Sequence, residues 1–446
     1  MIDSVALYDR FNQNDDPSVV HHPPRSTHPV THHFLIIADD LSGAADCAAG
    51  FVSAGFDGAV LLGGAMREPT PSAAVVTVDT DSRRDPGAAA AAKARAALEH
   101  HGAGRRVIKK IDSTLRGGWA AEVAALQPLL GLALVAPAFP GLGRIVRDGM
   151  VRVDGVPLAQ TSTWTLEHAG RESRPVSMLK AAGLRAGTVS AELLEGPPEA
   201  LLRHIARARD QGCQALVVDA EQPAHLRALA SATRDLAEVF WVASAGLAHE
   251  IARCVAPARP ARDALAPPVA GRGVLTIVGS LSPIATQQIA CLGARPGCSI
   301  HTIPARLLRI APVDGAGAPS WAEAIHADLA RGLDPVACIG ADADLDPAEG
   351  PLLARRLALR LAPSLRAAGG LVLTGGETAR IMLEQLGIAR LQVLGESEPG
   401  VVLLRSMADR PQCIATKAGA FGDAGSLERA RQALRSRLAC DAPAPS

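Results

Sequence analysis

The sequence predicts an α/β fold of two domains, each with a mostly parallel sheet, facing each other across a cleft. Short apolar runs alternate with Ala- and Leu-rich stretches of helical spacing from Phe34 to Leu438, the pattern of strands and helices taken in turn. The apolar runs are continuous, as in Phe34–Ala38 (FLIIA); strands covered by helices on both faces read this way. The alternation breaks at residues 256–271 (APARPARDALAPPVAG), where Pro257, Pro260, Pro267 and Pro268 mark a linker. The expected layout is a disordered extension over 1–33, a first domain over 34–255, a linker over 256–270, a second domain over 271–438 and a tail over 439–446.

Taken in order, the polar extension carries His21, His22, His28, His32 and His33 among prolines, a composition that suits a solvated tail better than a metal site. First-domain strands are expected at Phe34–Ala38, Ala59–Leu62, Ala74–Val78, Arg106–Lys110, Ala133–Ala136, Ala215–Asp219 and Val239–Ser244. Small residues at helical spacing predict a helix through Ala44–Phe51, and others at Gly87–His100, Trp119–Leu130 and Ala200–Gln211. Asp154-Gly155 predicts a hairpin turn. Second-domain strands are expected at Val274–Val278, Pro335–Ile339, Leu371–Thr374, Leu391–Leu394 and Gln412–Thr416, with helices at Pro283–Leu292, Trp321–Arg331, Pro351–Ala367 and Ser426–Leu438.

Composition excludes several functions. With 45 basic and 45 acidic residues the net charge is zero, and aromatics are only 3%. Neither a polyanion-binding face nor a base-stacking platform follows, so no nucleic-acid partner is expected. The eight cysteines include no C-x-x-C pair; they read as reduced, buried small residues of a cytoplasmic protein, with no metal site. No run of 18 apolar residues and no basic-then-apolar leader occurs, so neither a membrane span nor a signal segment is expected. The sequence leaves the oligomeric state open, with a homodimer one option.

Chemistry-bearing residues gather at strand ends. Asp39, Asp40 and Ser42 follow the first strand, Asp79-Thr80-Asp81-Ser82-Arg83 follows the third, and Lys109-Lys110-Ile111-Asp112-Ser113-Thr114-Leu115-Arg116-Gly117 follows the fourth. In a parallel sheet such ends converge on one edge, where ligands bind. A single Asp there also serves as a helix cap. Together the groups suit a small polar acid: arginine grips a carboxylate and an aspartate orients a hydroxyl. The stiff loop Ala136–Arg144 (APAFPGLGR) walls a pocket and presents Arg144. In the second domain Val278–Pro283, Leu373–Ala379 and Thr416–Gly422 are glycine-bearing loops after strands. Backbone N–H groups at such loops and helix starts cradle phosphate. Neither a P-loop nor G-x-G-x-x-G stands in the right context, which disfavours an NAD-dependent dehydrogenase.

IADDLSGAAD, KKIDSTLRG, APAFPGLGR…VDGVPL, VGSLSP, TGGETA and TKAGAFG, in this order between Phe34 and Leu438, resemble the four-carbon acid sugar kinase family. The resemblance implies an N-terminal domain for the sugar acid, a C-terminal domain for ATP, and phosphorylation of a terminal hydroxyl of threonate, erythronate or 3-oxo-tetronate. It implies that Asp39, Asp40, Arg83, Lys109, Asp112, Ser113 and Arg116 surround the acid. It implies that Ser280, Ser282, Gly375, Gly376, Glu377, Thr378 and Gly419 hold the nucleotide. Asp40, Asp112 and Arg116 are the expected catalytic residues, Asp40 or Asp112 as base, with Mg²⁺ carried mainly by ATP. Two positions depart from the family pattern: Ser42 replaces a usual Thr, and Thr161–Lys180, expected to shape the acid pocket, matches neither familiar subgroup. A non-catalytic sugar-acid sensor is the alternative; it predicts decay of one motif set, and both sets are present.

Overall fold

The computed structural model describes residues 33–440 without 66, 162–163, 166–169, 259–271, 281, 311–317, 341–345, 347–348 and 420. His21, His22, His28, His32, most of the expected linker and residues 441–446 lie outside the described residues.

The strands are β1 (Phe34–Ala38), β2 (Gly58–Leu62), β3 (Val75–Asp79), β4 (Arg106–Lys110), β5 (Leu132–Ala136), β6 (Arg144–Arg147), β7 (Met150–Val153), β8 (Val156–Pro157), β9 (Ala186–Val189), β10 (Ala215–Val218), β11 (Val239–Ala243), β12 (Arg272–Val278), β13 (Cys298–Pro304), β14 (Asp334–Gly340), β15 (Ala368–Thr374), β16 (Arg390–Glu398), β17 (Val401–Ser406) and β18 (Cys413–Lys417). Fifteen of them form one sheet in the order β13-β14-β12-β15-β18-β17-β16-β2-β3-β1-β4-β11-β5-β10-β9. Sequence reasoning expects a sheet in each half. The structure adds that the two sheets join edge to edge, through antiparallel pairing of β16 with β2. The strands from β2 to β9 in this order are parallel, as are β13, β14, β12, β15 and β18; β17 and β16 run antiparallel.

In each half the strand order reverses beside the first strand. β1 lies between β3 and β4, and β12 between β14 and β15. Crevices open at such reversals, outside the carboxyl ends of the strands. The register pairs Ala38 with Asp79 and Ile37 with Lys109, so the acidic and basic motifs of the first half share one edge.

Helix α1 (Leu41–Ser53) ties the halves together. Ala44, Ala45, Ala48 and Ala49 are fully buried and share one apolar cluster with Leu391, Val393, Val402 and Leu404 of β16 and β17. Small side chains permit that close approach, and larger ones would overpack it. Helices α2 (Gly87–His101) and α3 (Trp119–Leu130) cover the first half, close to their expected bounds.

The expected strands all form, within a few residues at their ends. β3 extends one residue further than expected, so Asp79 is a fully buried strand residue rather than part of the following loop. Ser244 is not in β11; it caps the helix Ala245–Cys254 by accepting from the Gly246 N–H at 3.2 Å. Asp154-Gly155 makes its turn with φ of +50° and +81° and Val153 facing Val156, the two positive angles that a two-residue hairpin needs. Sequence reasoning misses β13, whose half-exposed pattern marks a sheet edge, and β17, whose run VVLLRS is fully buried. The cysteines correct another expectation: Cys47, Cys338 and Cys413 are buried, but Cys213, Cys254, Cys291 and Cys298 are half-buried, and all seven are free thiols. Among the described residues no helix is long and apolar enough to cross a membrane.

Candidate active site

α1 begins where β1 ends. Asp40 adopts extended backbone and accepts from the Gly43 N–H at 3.0 Å, so it does cap the helix. It does more than that. Arg83 donates to Asp39 through Nε at 2.9 Å and Nη2 at 2.8 Å, and its Nη1 stands 2.8 Å from Asp40 Oδ2. Burial alone would raise Asp39; the charge of Arg83, with Lys109 and Lys110, outweighs it and holds the carboxyl below the usual range. Arg83 thus braces the two aspartates, and it also lines the pocket.

The turn after β4 carries Asp112, which receives Arg116 Nε at 2.9 Å and Nη2 at 3.0 Å. The Thr114 N–H, at 3.1 Å, and the Thr114 hydroxyl donate to it as well. Burial opposes ionisation, but Arg116, then Arg83 and Lys110, hold Asp112 well below the usual carboxylate range. Leu115 in this turn has φ +58°, a strained angle for a leucine and one that accumulates at functional sites. Lys109, expected beside the acid, is a correction. It is wholly buried, with Nζ 3.0 Å from Glu122 of α3. Adjacent strand residues point to opposite faces, and it is Lys110 that lines the pocket. Its Nζ lies 2.6 Å from where a Cβ on Gly43 would be.

In the second half, β12, β15 and β18 deliver the glycine loops to a common edge. Gly375 has φ +86°, which only glycine takes freely, and opens the helix Gly376–Gln385. Ser282 caps the helix Pro283–Gly293 by accepting from Ala285 N–H at 3.3 Å, and Ser280 donates to Ser282 at 3.1 Å. Gly419 packs on Ser280, and Gly279 packs on Thr378. Lys417 is buried and donates to the carbonyls of Ala418, Gly419 and Phe421 at 2.9, 3.2 and 2.7 Å, folding the third loop around its ammonium. Burial brings its pKa down to about 8. Glu377 pairs with Arg84 at 2.8 Å, while burial pushes its carboxyl up.

Two pockets result, and they adjoin. One, of about 630 Å³ with its open mouth included, is lined by Asp40, Ser42, Lys110, Asp112, Ser113 and Arg116 among others. The other, about 1360 Å³, is lined by Asp39, Arg84, Arg355, Gly375, Gly376, Glu377 and Gly419 among others. Asp40, Ser42, Arg83, Arg116 and Ala418 border both. Ser280, Ser282, Thr378 and Lys109 are not part of either lining. The described residues of Thr161–Lys180 line neither pocket, against expectation. Phe139 and Leu142 wall the first pocket as the Pro/Gly-rich loop predicts, while Arg144 stacks on Phe421 with its guanidinium 5.3 Å from the ring centre. Sequence reasoning misses Arg380, although TGGETAR ends on it: it reaches Asp79 at 2.7 Å, binding the two halves beside the second pocket. Also missed are Lys417, within TKAGAFG, and Asp46, within IADDLSGAAD.

Comparison with known proteins bears on the same two regions. A family model described as a sugar-binding N-terminal domain matches residues 34–251, and one described as a nucleotide-binding C-terminal domain matches 275–427. A D-threonate kinase of Cupriavidus necator is 44% identical over 415 residues, covering 90% of this chain and 98% of the relative. A D-threonate kinase of Bordetella bronchiseptica is 34% identical over 90% of this chain and 97% of its own. A 3-oxo-tetronate kinase of Methylobacterium radiotolerans is 30% identical over 88% and 97%. A solved Salmonella typhimurium structure, described as a tRNA synthase, superposes with TM-score 0.74 at 24% identity over 90% of this chain and 99% of that one; it shows the fold alone. By its two matched domains and these relatives, the chain belongs to the four-carbon acid sugar kinase family.

Proposed function

We propose that this chain transfers the terminal phosphoryl group of ATP to a terminal hydroxyl of a four-carbon acid sugar, with D-threonate as acceptor. One observation carries the reading. A Cβ on Gly376 would lie 2.9 Å from Ser42 Oγ and 3.0 Å from Asp40 Oδ2. The start of a helix suited to phosphate therefore abuts the carboxylate suited to orient a hydroxyl. Donor and acceptor meet at that junction. The D-threonate choice rests on the 44% identical relative that carries that name.

Phosphoryl transfer of this kind depends on positioning and on neutralising charge. Asp40 orients the acceptor hydroxyl and takes its proton. Asp112, held well below the usual range by Arg116 against its burial, serves to aim Arg116. Arg116 borders both pockets and balances charge on the group in transit. Lys110, with the start of the helix Ala245–Cys254, takes the substrate carboxylate. Gly375, Gly376 and Gly419 leave the room that phosphate oxygens need, and Lys417 holds the third loop in shape. Mg²⁺ arrives on the nucleotide, where it neutralises phosphate charge.

The regions 34–255 and 271–438 act as acid-binding and nucleotide-binding domains in this reading, in the cytoplasm, where seven free thiols stay reduced. ADP release from MgATP is the test, against D- and L-threonate, D- and L-erythronate and 3-oxo-tetronates. Turnover greatest with D-threonate is expected. Binding of the acid without ADP release would replace the kinase with the sensor.

A further inference from the structure

The acid pocket holds a carboxylate that phosphoryl transfer does not use. Asp40, the cap of α1, and Gly43 and Asp46 within α1 recur at three-residue spacing and all line the pocket. At 1.5 Å per residue, Asp46 stands about 9 Å along the helix from Asp40, far enough to reach the body of a four-carbon chain whose end lies at Asp40.

Three elements converge behind it. His249, on the helix Ala245–Cys254, places Nε2 3.1 Å from the Asp46 carbonyl oxygen and 3.5 Å from Oδ1. Its ring meets Phe139, another wall of the pocket, edge to face at 6.1 Å. Gly50 makes room for it: a Cβ there would lie 2.1 Å from His249 Cδ2. From the other half β16 brings Glu396, whose Oε1 is buried without a hydrogen-bond partner. A fold that needed only packing here would use apolar groups, since unpaired buried polar atoms are costly.

Hydroxyls of a sugar acid donate as well as accept, and the cations of the pocket cannot accept. Asp40 already receives Arg83 and a backbone N–H, and Asp112 receives Arg116 and Thr114. Asp46 has His249 as its side-chain partner and keeps acceptor capacity toward the pocket. We propose that Asp46, positioned by His249, grips the secondary hydroxyls of the sugar acid and sets which stereoisomer is accepted. This rests on the kinase reading above.

The surrounding charges give the proposal a pH signature. Burial, with Asp46 close by, pushes Glu396 up to about 7. Burial opposes a charged His249, but its bond to Asp46 raises it above its usual value. Cys47, beside them on α1, is pushed up to about 12 by burial and stays neutral. Lys110 and Asp40 lie toward the other end of the pocket, and Glu398, further along β16, is tied to Arg429. Raising the pH through 7 adds a negative charge at Glu396 and, further up, removes the positive charge of His249; both work against an anionic substrate.

Full-length wild type, Asp46→Asn and Glu396→Gln are compared. Asp46→Asn is expected to raise the KM for D-threonate about ten- to hundredfold, the loss of a charge-assisted hydrogen bond, with the KM for ATP within about twofold. It also flattens the ratio of kcat/KM between threonate and erythronate isomers. Glu396→Gln is expected to lessen the fall in kcat/KM for the acid above pH 7, His249 supplying the remainder. An Asp46→Asn enzyme with unchanged isomer ratios, or a Glu396→Gln enzyme that keeps the wild-type alkaline limb, overturns the proposal. Calorimetric binding of D-threonate without nucleotide separates this from the kinase reading. Tight binding weakened by Asp46→Asn, with no ADP release by wild type, sinks the kinase and leaves Asp46 standing. Equal affinity of the two proteins overturns the role of Asp46 alone, and no binding by either overturns both.

Discussion

Arg380 Nη1 lies 2.7 Å from Asp79 Oδ2, joining the glycine-led helix of the second half to β3 of the first. The same guanidinium also reaches Asp81 at 3.3 Å and Glu384 at 2.9 Å. Removing one partner of a buried pair leaves the other uncompensated. Arg380→Met should therefore destabilise the protein by about 3 kcal/mol or more at pH 8, read from denaturant unfolding.

The pH dependence of that clasp has a definite sign. Burial raises Asp79 to about 7 despite Arg380, against an ordinary 3.8. The folded state then holds its proton more firmly than the unfolded state between those values, so this group's contribution to stability falls as pH rises through that range. Arg380→Met should steepen the fall, and its deficit should shrink below pH 6. A deficit that grows on acidification would count against the clasp.

Gly376→Ala tests the junction. Its Cβ would sit too close to Ser42 and Asp40, and a shift of about 1 Å at a reacting centre costs up to about a hundredfold. The variant should fold with near-normal unfolding and lose kcat by about ten- to hundredfold. Full activity would separate the helix start from the acceptor.

Asp40→Asn and Asp112→Asn divide the two candidate bases. Asp40→Asn should lower kcat by about 10²–10⁴. Asp112→Asn should act more on the KM for the acid, through a misplaced Arg116. Because Asp112 is held below its ordinary value by Arg116 against burial, its contribution to stability is present above about pH 4 and lost as pH falls through its folded value. An acid limb near neutral pH that Asp112→Asn abolished would contradict this assignment.

Lys417 is a third test. Burial lowers it to about 8 from 10.5, so the folded state binds its proton less firmly, and this group's contribution rises as pH climbs from 8 to 10.5. Lys417→Met relieves that burial cost while removing three donors from the loop. The KM for ATP should rise about tenfold or more, with little loss of stability. The reverse pattern would make Lys417 a stability residue alone.

Much of this was legible in the sequence because local signals were strong. Phe34–Ala38 ends on two carboxylates, and the glycines of TGGETA mark a helix start, so strand ends and glycine loops led to the right edges. Lys109 and Lys110 were not separable: neighbours in a strand face opposite ways, and only the packing of Glu122 against Lys109 decides which faces away from the pocket. Arg83 was legible as a residue of the candidate site but not as a brace, since its bidentate grip on Asp39 depends on loop geometry. The Asp46–His249–Glu396 cluster was invisible for a simpler reason: its members are far apart in sequence and meet only because α1 packs beneath β16.

The most direct measurement of the central claim is ³¹P NMR of the product formed from MgATP and D-threonate. The account predicts a phosphate monoester split into a triplet by a terminal CH₂, accumulating with ADP in equal amount. Inorganic phosphate alone, or a doublet from an ester on a secondary carbon, would contradict it.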